Sequence, residues 1–284
     1  MERIIKEPTR SALRYYGGKW RIAQWIISHF PPHRVYIEPF GGSASVLMRK
    51  ARSYAEIYND LDGEVVNVFE VLRDPEKAAA LEKLIKLTPY AREEYGRIWS
   101  RTEDCIEQAR RTIAKAYFGY GSDTIFRKNC TAFRSDTDRK GTTVIRDWQT
   151  YPDNIITFSR RLQGVVIENR PAVDVIDQYD KEDALIYADP PYLKETRRHR
   201  YHGYRHEMSK SDHRRLAEVL HRVKGMVIIS GYKNDMYDND LYSDWRKVMK
   251  KTTNTNNLGV NEVLWISPNT PEQQPELFKI RDKI

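Results

Sequence analysis

The sequence is poor in cysteine and has no long apolar run. Cys105 and Cys130 are the two cysteines among 284 residues, and their spacing matches neither a zinc site nor a disulfide framework. No stretch has the length of a membrane span, and the N-terminal residues lack the apolar core of a signal peptide. These absences argue against a secreted disulfide-rich domain or a membrane protein, and they predict a cytoplasmic chain with reduced, structural thiols.

Basic residues outnumber acidic ones, and their positions are informative. The net charge of +8 and the pI near 9.3 favour a polyanionic partner. Residues 3–21 hold six Lys or Arg against one acid, and residues 193–206 hold five against one. Each stretch adjoins one of the motifs described below, which predicts that the polyanion lies near them.

The order of apolar segments predicts an α/β fold. Short apolar segments typical of strands occur at 35–38, 54–58, 165–168, 184–188, 226–230 and 262–266. Helical patterns occur at 19–30, 45–50, 62–73 and 211–223, the last with Ser211 as its N-cap. Strands that alternate with helices predict a parallel sheet with right-handed crossovers and helices on both faces.

One segment departs from this alternation. Residues 76–118 are helical in character and residues 119–150 are loop-like, so we interpret 88–154 as an insertion into the α/β domain. The main domain then comprises residues 1–87 and 155–270. Residues 271–284 form a tail.

The motif DPPY directly follows a predicted strand and therefore lies at the carboxyl edge of the sheet, where open α/β folds bind ligands. An amino group on a nucleobase is a poor nucleophile, because its lone pair is delocalised into the ring. Asp189 and the Pro190 carbonyl can accept its two N–H bonds, with Pro191 holding the turn and Tyr192 available to stack on the base. The motif favours transfer to such an amine by positioning and electrostatics, without a covalent intermediate.

Two glycine-bearing loops lie near the predicted sheet edge. EPFGGSAS follows the first strand and allows close approach of a cofactor to the backbone, although it matches neither GxGxxG nor a P-loop. Asp60 ends the second strand, where an acid can bind ribose hydroxyls. The loop YYGGK precedes the first helix, and Lys19 in it can meet a carboxylate. An ordinary turn with a solvated charge is the alternative for each element alone.

The combination of YGGK, EPFGGSAS, an inserted segment and DPPY resembles the Dam-like, D12-class DNA adenine-N6 methyltransferases of the alpha arrangement. The resemblance covers about residues 10–75 and 160–267. It implies a Rossmann-like methyltransferase sheet, an inserted target-recognition subdomain, S-adenosylmethionine as cofactor, no metal, and a flipped-out adenine in DNA as target. The cofactor residues that it implies are Tyr16, Gly18, Lys19, Glu38, Phe40, Gly42, Ser43, Asp60, Asp174 and Asp189. A plain helix-start acid is the alternative for Asp174.

The sequence departs from the family pattern in two places. Ala44 stands where a second glycine of the cofactor loop is usual, which the fold tolerates if the backbone there is not at positive φ. The inserted segment does not match that of GATC-specific members, so no recognition sequence is assigned. Ser230-Gly231-Tyr232 resembles a later family element beside the target pocket.

Two basic regions are candidates for DNA contact. The loop after DPPY has three histidines, but its positive charge disfavours a cation, so we expect it to contact phosphates of the flipped strand. The insertion interleaves aromatic and basic residues, which either touch DNA or pack a small helical subdomain. The predicted DNA-binding residues are Arg127, Lys128, Arg134, Arg197, Arg198, Arg200 and Arg205.

The leading hypothesis is a DNA adenine-N6 methyltransferase without an obligate protein partner, from a bacterium or a phage. The alternatives are methylation of RNA adenine, of the cytosine amine or of protein glutamine, and a DNA-binding protein that has lost catalysis. Glutamine methylation is disfavoured because its related loop usually has Asn in place of Asp189. Methylation of a cytosine ring carbon is disfavoured because that chemistry requires a nucleophilic cysteine in a Pro-Cys turn.

Overall fold

The computed structural model describes residues 7–121, 123–135, 143–197, 203–253 and 259–272. Its centre is a seven-stranded sheet of order β3-β2-β1-β4-β5-β7-β6. The strands are β1 (Val35–Glu38), β2 (Ala55–Asn59), β3 (Val165–Glu168), β4 (Ala184–Ala188), β5 (Met226–Tyr232), β6 (Arg246–Thr253) and β7 (Gly259–Ile266). Strands β1 to β5 are parallel to one another, and β7 is antiparallel to both β5 and β6. This mixed α/β sheet is consistent with a Rossmann-like methyltransferase fold.

Helices cover both faces of the sheet. They are α1 (Ala23–Ile27), α2 (Ser45–Arg49), α3 (Gly63–Arg73), α4 (Pro75–Leu87), α5 (Arg92–Arg97), α6 (Cys105–Phe118), α7 (Val144–Thr150), α8 (Ile155–Leu162), α9 (Ala172–Tyr179) and α10 (Lys210–Arg222). Successive residues of a strand face opposite sides, and on β4 Leu185 and Tyr187 join one apolar cluster while Ile186 joins the other. Helices α9 and α10 pack on the second side and the larger set packs on the first, so two cores enclose the sheet.

The alternation of strands and helices is confirmed, with differences at several ends. The predicted helix at 19–30 is confined to Ala23–Ile27. Helix α10 is capped by Ser209 rather than by Ser211, since the Ser209 hydroxyl accepts from Asp212 N and the Asp212 carboxylate accepts from Ser209 N. The predicted parallel sheet is mixed at one edge, where β7 runs antiparallel to β5. The polar strand β6, which the apolar pattern did not predict, pairs antiparallel with β7.

The segment 88–154 packs directly on the α/β part of the chain. Its helix α6 lies against α3 and α4, and Ile113 and Phe118 belong to the same apolar cluster as Phe69. The predicted loop-like stretch also contains α7 and a short 3-10 turn, Thr124–Phe126. The division at residues 88 and 154 stays a prediction, since one continuous core joins the two parts.

None of the helices in the described ranges is long and apolar enough to cross a membrane. In the same part of the chain, no group of three or more His, Cys, Asp or Glu side chains is arranged to hold a metal ion.

The loop between β1 and α2 packs tightly on β2. Gly41 N donates to Asn59 O at 2.7 Å, and the buried Tyr58 hydroxyl donates to Gly42 O at 2.7 Å. A Cβ added to Gly41 would lie 2.1 Å from the Tyr58 ring. Ala44 follows with a φ of +51°. The backbone at this position is therefore left-handed, a conformation that favours glycine, although the residue is alanine.

We predict that Gly41→Ala destabilises the protein by about 1–3 kcal/mol, because the added methyl must displace the Tyr58 ring in a closely packed core. Chemical denaturation of the two proteins measures the change. Gly96→Ala is the control, since a Cβ at this position in α5 meets no atom within 4 Å. Equal stability of the two variants would contradict the steric account of this loop.

Candidate active site

Asp189 lies immediately after β4 and its carboxylate has two partners. Lys19 Nζ lies 2.8 Å from Asp189 Oδ2, and the Ser230 hydroxyl donates to Asp189 Oδ1 at 2.8 Å. Ser230 belongs to the neighbouring strand β5, and its hydroxyl also lies 3.1 Å from the Tyr187 hydroxyl. The carboxylate is therefore fixed in orientation at the carboxyl edge of the sheet.

Tyr192 follows three residues later and is held at several points. Its hydroxyl donates a short hydrogen bond to Glu262 Oε1 on β7. Lys19 Nζ lies 4.7 Å from the centre of the ring, and the Tyr232 ring packs edge-on at 4.8 Å. The aromatic ring thus has a defined plane beside Asp189, as stacking on a planar ligand requires.

Lys19 connects these two groups. Its side chain is buried, and Nζ also donates to Gly17 O at 2.8 Å and lies 4.0 Å from Glu262 Oε1. Desolvation lowers the pKa of Lys19, but the carboxylates of Asp189 and Glu262 outweigh it and raise the pKa above the ordinary value. The ammonium stays charged, so it neutralises part of the negative charge that the sheet edge collects.

A cavity of about 330 Å³ opens beside this cluster. Its walls are the YYGGK loop, the loop after β1, the end of β2, the start of α9, the DPPY turn and the segment 204–208. Gly18 permits close approach, since a Cβ there would lie 3.2 Å from Ser43 Oγ. Gly42 has a φ of +48°, which turns the loop into the wall of the cavity.

Glu38 ends β1 at the back of the cavity and is buried. Its Oε2 accepts from the Tyr36 hydroxyl at 2.8 Å and from Leu47 N at 3.0 Å. Burial raises the pKa of Glu38 to about 8, partly offset by the Tyr36 hydrogen bond. The carboxyl group is consequently sensitive to any cationic ligand that enters beside it.

Asp60 forms a second acidic position on the cavity wall. Its two oxygens accept from Gly42 N and Asp62 N, each at 2.8 Å. Burial raises the pKa of Asp60 to about 6, while these backbone hydrogen bonds lower it. Asp62 lies beside it and caps α3 through Oδ1, whereas its buried Oδ2 has no hydrogen-bond partner. Asp60 and Asp62 both line the cavity, and carboxylates in this position suit a ligand with hydroxyl donors.

The segment 204–208 forms a roof over the cavity. The Tyr204 ring packs against Tyr16 and Phe126 at centroid distances of 5.5 Å, and its hydroxyl donates to Tyr16 O at 3.3 Å. Arg205 donates to the carboxylates of Asp62 and Glu64, each at 3.0 Å. These contacts tie the roof to both the glycine loop and the inserted segment.

The structure brings most of the predicted cofactor residues together. The cavity wall includes Tyr16, Gly18, Lys19, Glu38, Phe40, Gly42, Ser43, Asp60 and Asp189. Asp174 is different: it is exposed in the first turn of α9, and the wall is formed instead by residues 171–173. The role of Asp174 at the cofactor stays a prediction, beside the alternative of a plain helix-start acid. Pro191 lines the cavity and Pro190 is buried behind it.

The predicted DNA-binding residues fall into distinct environments. Arg197 is buried and donates to both Glu207 oxygens and to Tyr192 O, so it braces the turn after DPPY. Arg134 is also buried, and Arg205 is paired with acids of α3 and its N-cap. Burial and these partners disfavour phosphate contact by the three arginines, and the assignment of DNA-binding residues stays a prediction. Arg127 and Lys128 are exposed; Arg198 and Arg200 lie outside the described residues.

Sequence reasoning missed Glu262 and the Tyr204 roof. Glu262 is a lone acid inside the apolar segment of β7, which is a signal that could have been read as a buried functional carboxylate. Nothing in the basic, aromatic loop distinguished Tyr204 from its neighbours, because its importance comes from contact with residues far away in sequence.

Comparisons with known proteins identify the family of the chain. Residues 15–257 match the model of the D12 class N6 adenine-specific DNA methyltransferase family. Proteins named DNA adenine methylase from Salmonella typhi and from Salmonella typhimurium strain LT2 are each 23% identical over 249 residues, which covers 85% of this chain and 85% of each relative. The family model covers most of the chain, including all of the motifs at the sheet edge. The chain belongs to the D12 class N6 adenine-specific DNA methyltransferase family.

Proposed function

We propose that this enzyme transfers a methyl group from S-adenosylmethionine to the N6 amine of an adenine that has left the DNA duplex. The observation that carries the proposal is the contact of the DPPY turn with the cavity, since Asp189 belongs to both. Membership in an adenine-specific family supports DNA as the substrate. The formal charge of +8 fits such a polyanion.

The cavity fits S-adenosylmethionine in the chemistry of its walls. Asp60 and Asp62 on the cavity wall offer carboxylate acceptors for ribose hydroxyls. The apolar residues 171–173 offer a surface for the adenine ring, and Glu38 offers a carboxyl group for the cationic part. When bound, this cofactor supplies an electrophilic methyl group.

The residues of the chain act by positioning. Asp189 is held by Ser230 and can accept one N–H bond of the target amine, while the Pro190 carbonyl accepts the other. Two acceptors on one nitrogen draw its lone pair out of conjugation with the base and towards the methyl donor. Tyr192 stacks on the extruded base, with its plane fixed by Glu262 and Tyr232. The roof formed by Tyr204 and Arg205 excludes water from the cavity.

We predict that Asp189→Ala abolishes methyl transfer but leaves cofactor binding largely intact. The amine loses its acceptor, whereas the cofactor keeps the glycine loops, Glu38 and Asp60. Mass spectrometry of DNA nucleosides measures the product, and calorimetry measures cofactor affinity. Asp183→Ala is the control, since this half-exposed acid precedes the opposite end of β4. Normal turnover by Asp189→Ala would overturn the mechanism.

We predict that cofactor affinity falls as the pH drops through about 6, the value to which burial raises the pKa of Asp60. The ionised carboxylate accepts ribose hydroxyls, and protonation removes an acceptor, so affinity is retained above that pH and lost below it. Binding titrations between about pH 5 and about pH 8 show the change. Asp60→Asn should bind more weakly with a flatter pH dependence. An identical pH profile in both proteins would remove Asp60 from the ribose site.

A further inference from the structure

The Lys19 ammonium occupies the place that the target base needs. It lies 2.8 Å from Asp189 Oδ2 and 4.7 Å from the centre of the Tyr192 ring. Under the proposed function, the same carboxylate oxygen and the same ring receive the amine and the plane of the adenine. The ammonium and the target therefore compete for one position, and the ammonium must move when the base arrives.

A buried ammonium moves only if another negative group receives it, since an unpaired charge in this environment is strongly disfavoured. Glu262 Oε1 lies 4.0 Å from Lys19 Nζ, on the same side as the Tyr192 hydroxyl. A small rotation of the lysine side chain would bring this separation to the 2.8 Å that Nζ now has to Asp189. Glu262 is only 4% exposed, so water is a poor substitute for this partner.

We propose that Glu262 is a positioning residue for methyl transfer, which receives the Lys19 ammonium when the target amine takes its place beside Asp189 and Tyr192. This inference rests on the proposed function. Glu262 keeps its hydrogen bond from the Tyr192 hydroxyl during the exchange, so the stacking ring does not lose its anchor. The positive charge stays at the sheet edge throughout, and Asp189 is free to accept from the amine.

The surroundings of Glu262 are consistent with a charge acceptor. Burial raises the pKa of Glu262 to about 7, while Lys19 lowers it and Asp189 raises it further. The facing ionisable groups come from four other parts of the chain: Lys19 before α1, Tyr187 on β4 with Asp189 and Tyr192 after it, Tyr232 on β5 and Lys250 on β6. Lys250 pairs with Glu262 in register but is exposed, with Nζ over the Trp25 ring. The arrival of a cationic group at Glu262 would favour its ionised form.

Glu262→Gln tests the proposal, because the amide oxygen still accepts from Tyr192 but the negative charge is gone. We expect the single-turnover rate of methyl transfer to fall by about a hundredfold, the scale of a misplaced reacting group, with cofactor affinity unchanged. The wild-type rate should decline as the pH falls through about 7, and the residual rate of the variant should lack that decline. Wild-type rates in Glu262→Gln, or a parallel loss of cofactor affinity, would overturn the proposal.

Glu168→Gln is the matched control. Glu168 ends β3, away from Lys19 and Asp189. Like Glu262, it accepts from a tyrosine hydroxyl, that of Tyr179 at 2.7 Å, and lies 4.0 Å from a cation, Arg170. We expect this variant to transfer methyl groups at the wild-type rate. A loss equal to that of Glu262→Gln would mean that any such substitution in the sheet impairs the enzyme, which contradicts the specific role.

A double-mutant cycle isolates the partner. If Glu262 acts through Lys19, the Glu262→Gln change should cost little more once Lys19→Gln is present. Equal losses in both backgrounds would overturn the exchange. If Glu262→Gln fails to fold, the wild-type complex with S-adenosylhomocysteine and DNA decides: Lys19 Nζ should lie closer to Glu262 than to Asp189, and an unchanged Lys19–Asp189 pair would contradict the proposal.

The wild-type protein separates the two proposals. Absence of methyladenine in its products would defeat the proposed function itself. Methyladenine from the wild type, together with an undiminished Glu262→Gln variant, would defeat the role of Glu262 alone.

Discussion

An ion pair between the buried Lys19 ammonium and the partly buried Asp189 carboxylate organises the carboxyl edge of the sheet. Glu38 and Asp60 line the cavity beside this pair and Glu262 lies 4.0 Å from Lys19 Nζ, and burial raises the pKa of all three carboxyl groups. Removal of one partner from a buried pair costs about 3–5 kcal/mol. The ammonium therefore offsets part of the negative charge that collects at this edge.

The fold explains why these groups meet. Parallel strands β1, β2 and β4 end at the same edge, so Glu38, Asp60 and Asp189 converge although they are distant in sequence. The antiparallel strand β7 runs the other way, and Glu262 lies near its beginning, opposite Tyr232 of β5. The parallel strands supply the other carboxylates at this edge, and the antiparallel direction of β7 adds that of Glu262.

Features that depend on adjacent residues were predicted from the sequence better than contacts between residues distant in sequence. The loops containing Lys19, Glu38 and Asp189 were predicted because each motif consists of adjacent residues. The strands that end at Glu38 and before Asp189 were predicted because they are apolar. The burial of Arg134 and Arg197 could not be predicted, because a charged residue shows its burial only after folding. The sequence suggested an exposed cation at Arg197. Its partner Glu207 lies ten residues away in sequence, and no helix or strand pattern predicts that the two side chains meet.

The other differences between the predicted and the observed structure occur in polar segments. Strand β6 contains three lysines and an arginine, so its pairing with β7 decides its structure rather than its own hydropathy. Helix α10 has serines at 209 and 211, and the capping box with Asp212 selects the first of them. Aromatic and aliphatic residues of α6 extend the main core into the inserted segment, whose bounds stay a prediction.

The most direct test of the central claim is to incubate the purified protein with S-adenosylmethionine and unmethylated DNA, with RNA in parallel, and to identify the modified nucleosides by mass spectrometry. The account predicts N6-methyladenine in DNA, formed with one S-adenosylhomocysteine for each methyl group. Methylated RNA alone, N4-methylcytosine in place of N6-methyladenine, or a protein that binds cofactor and DNA without forming product would contradict it.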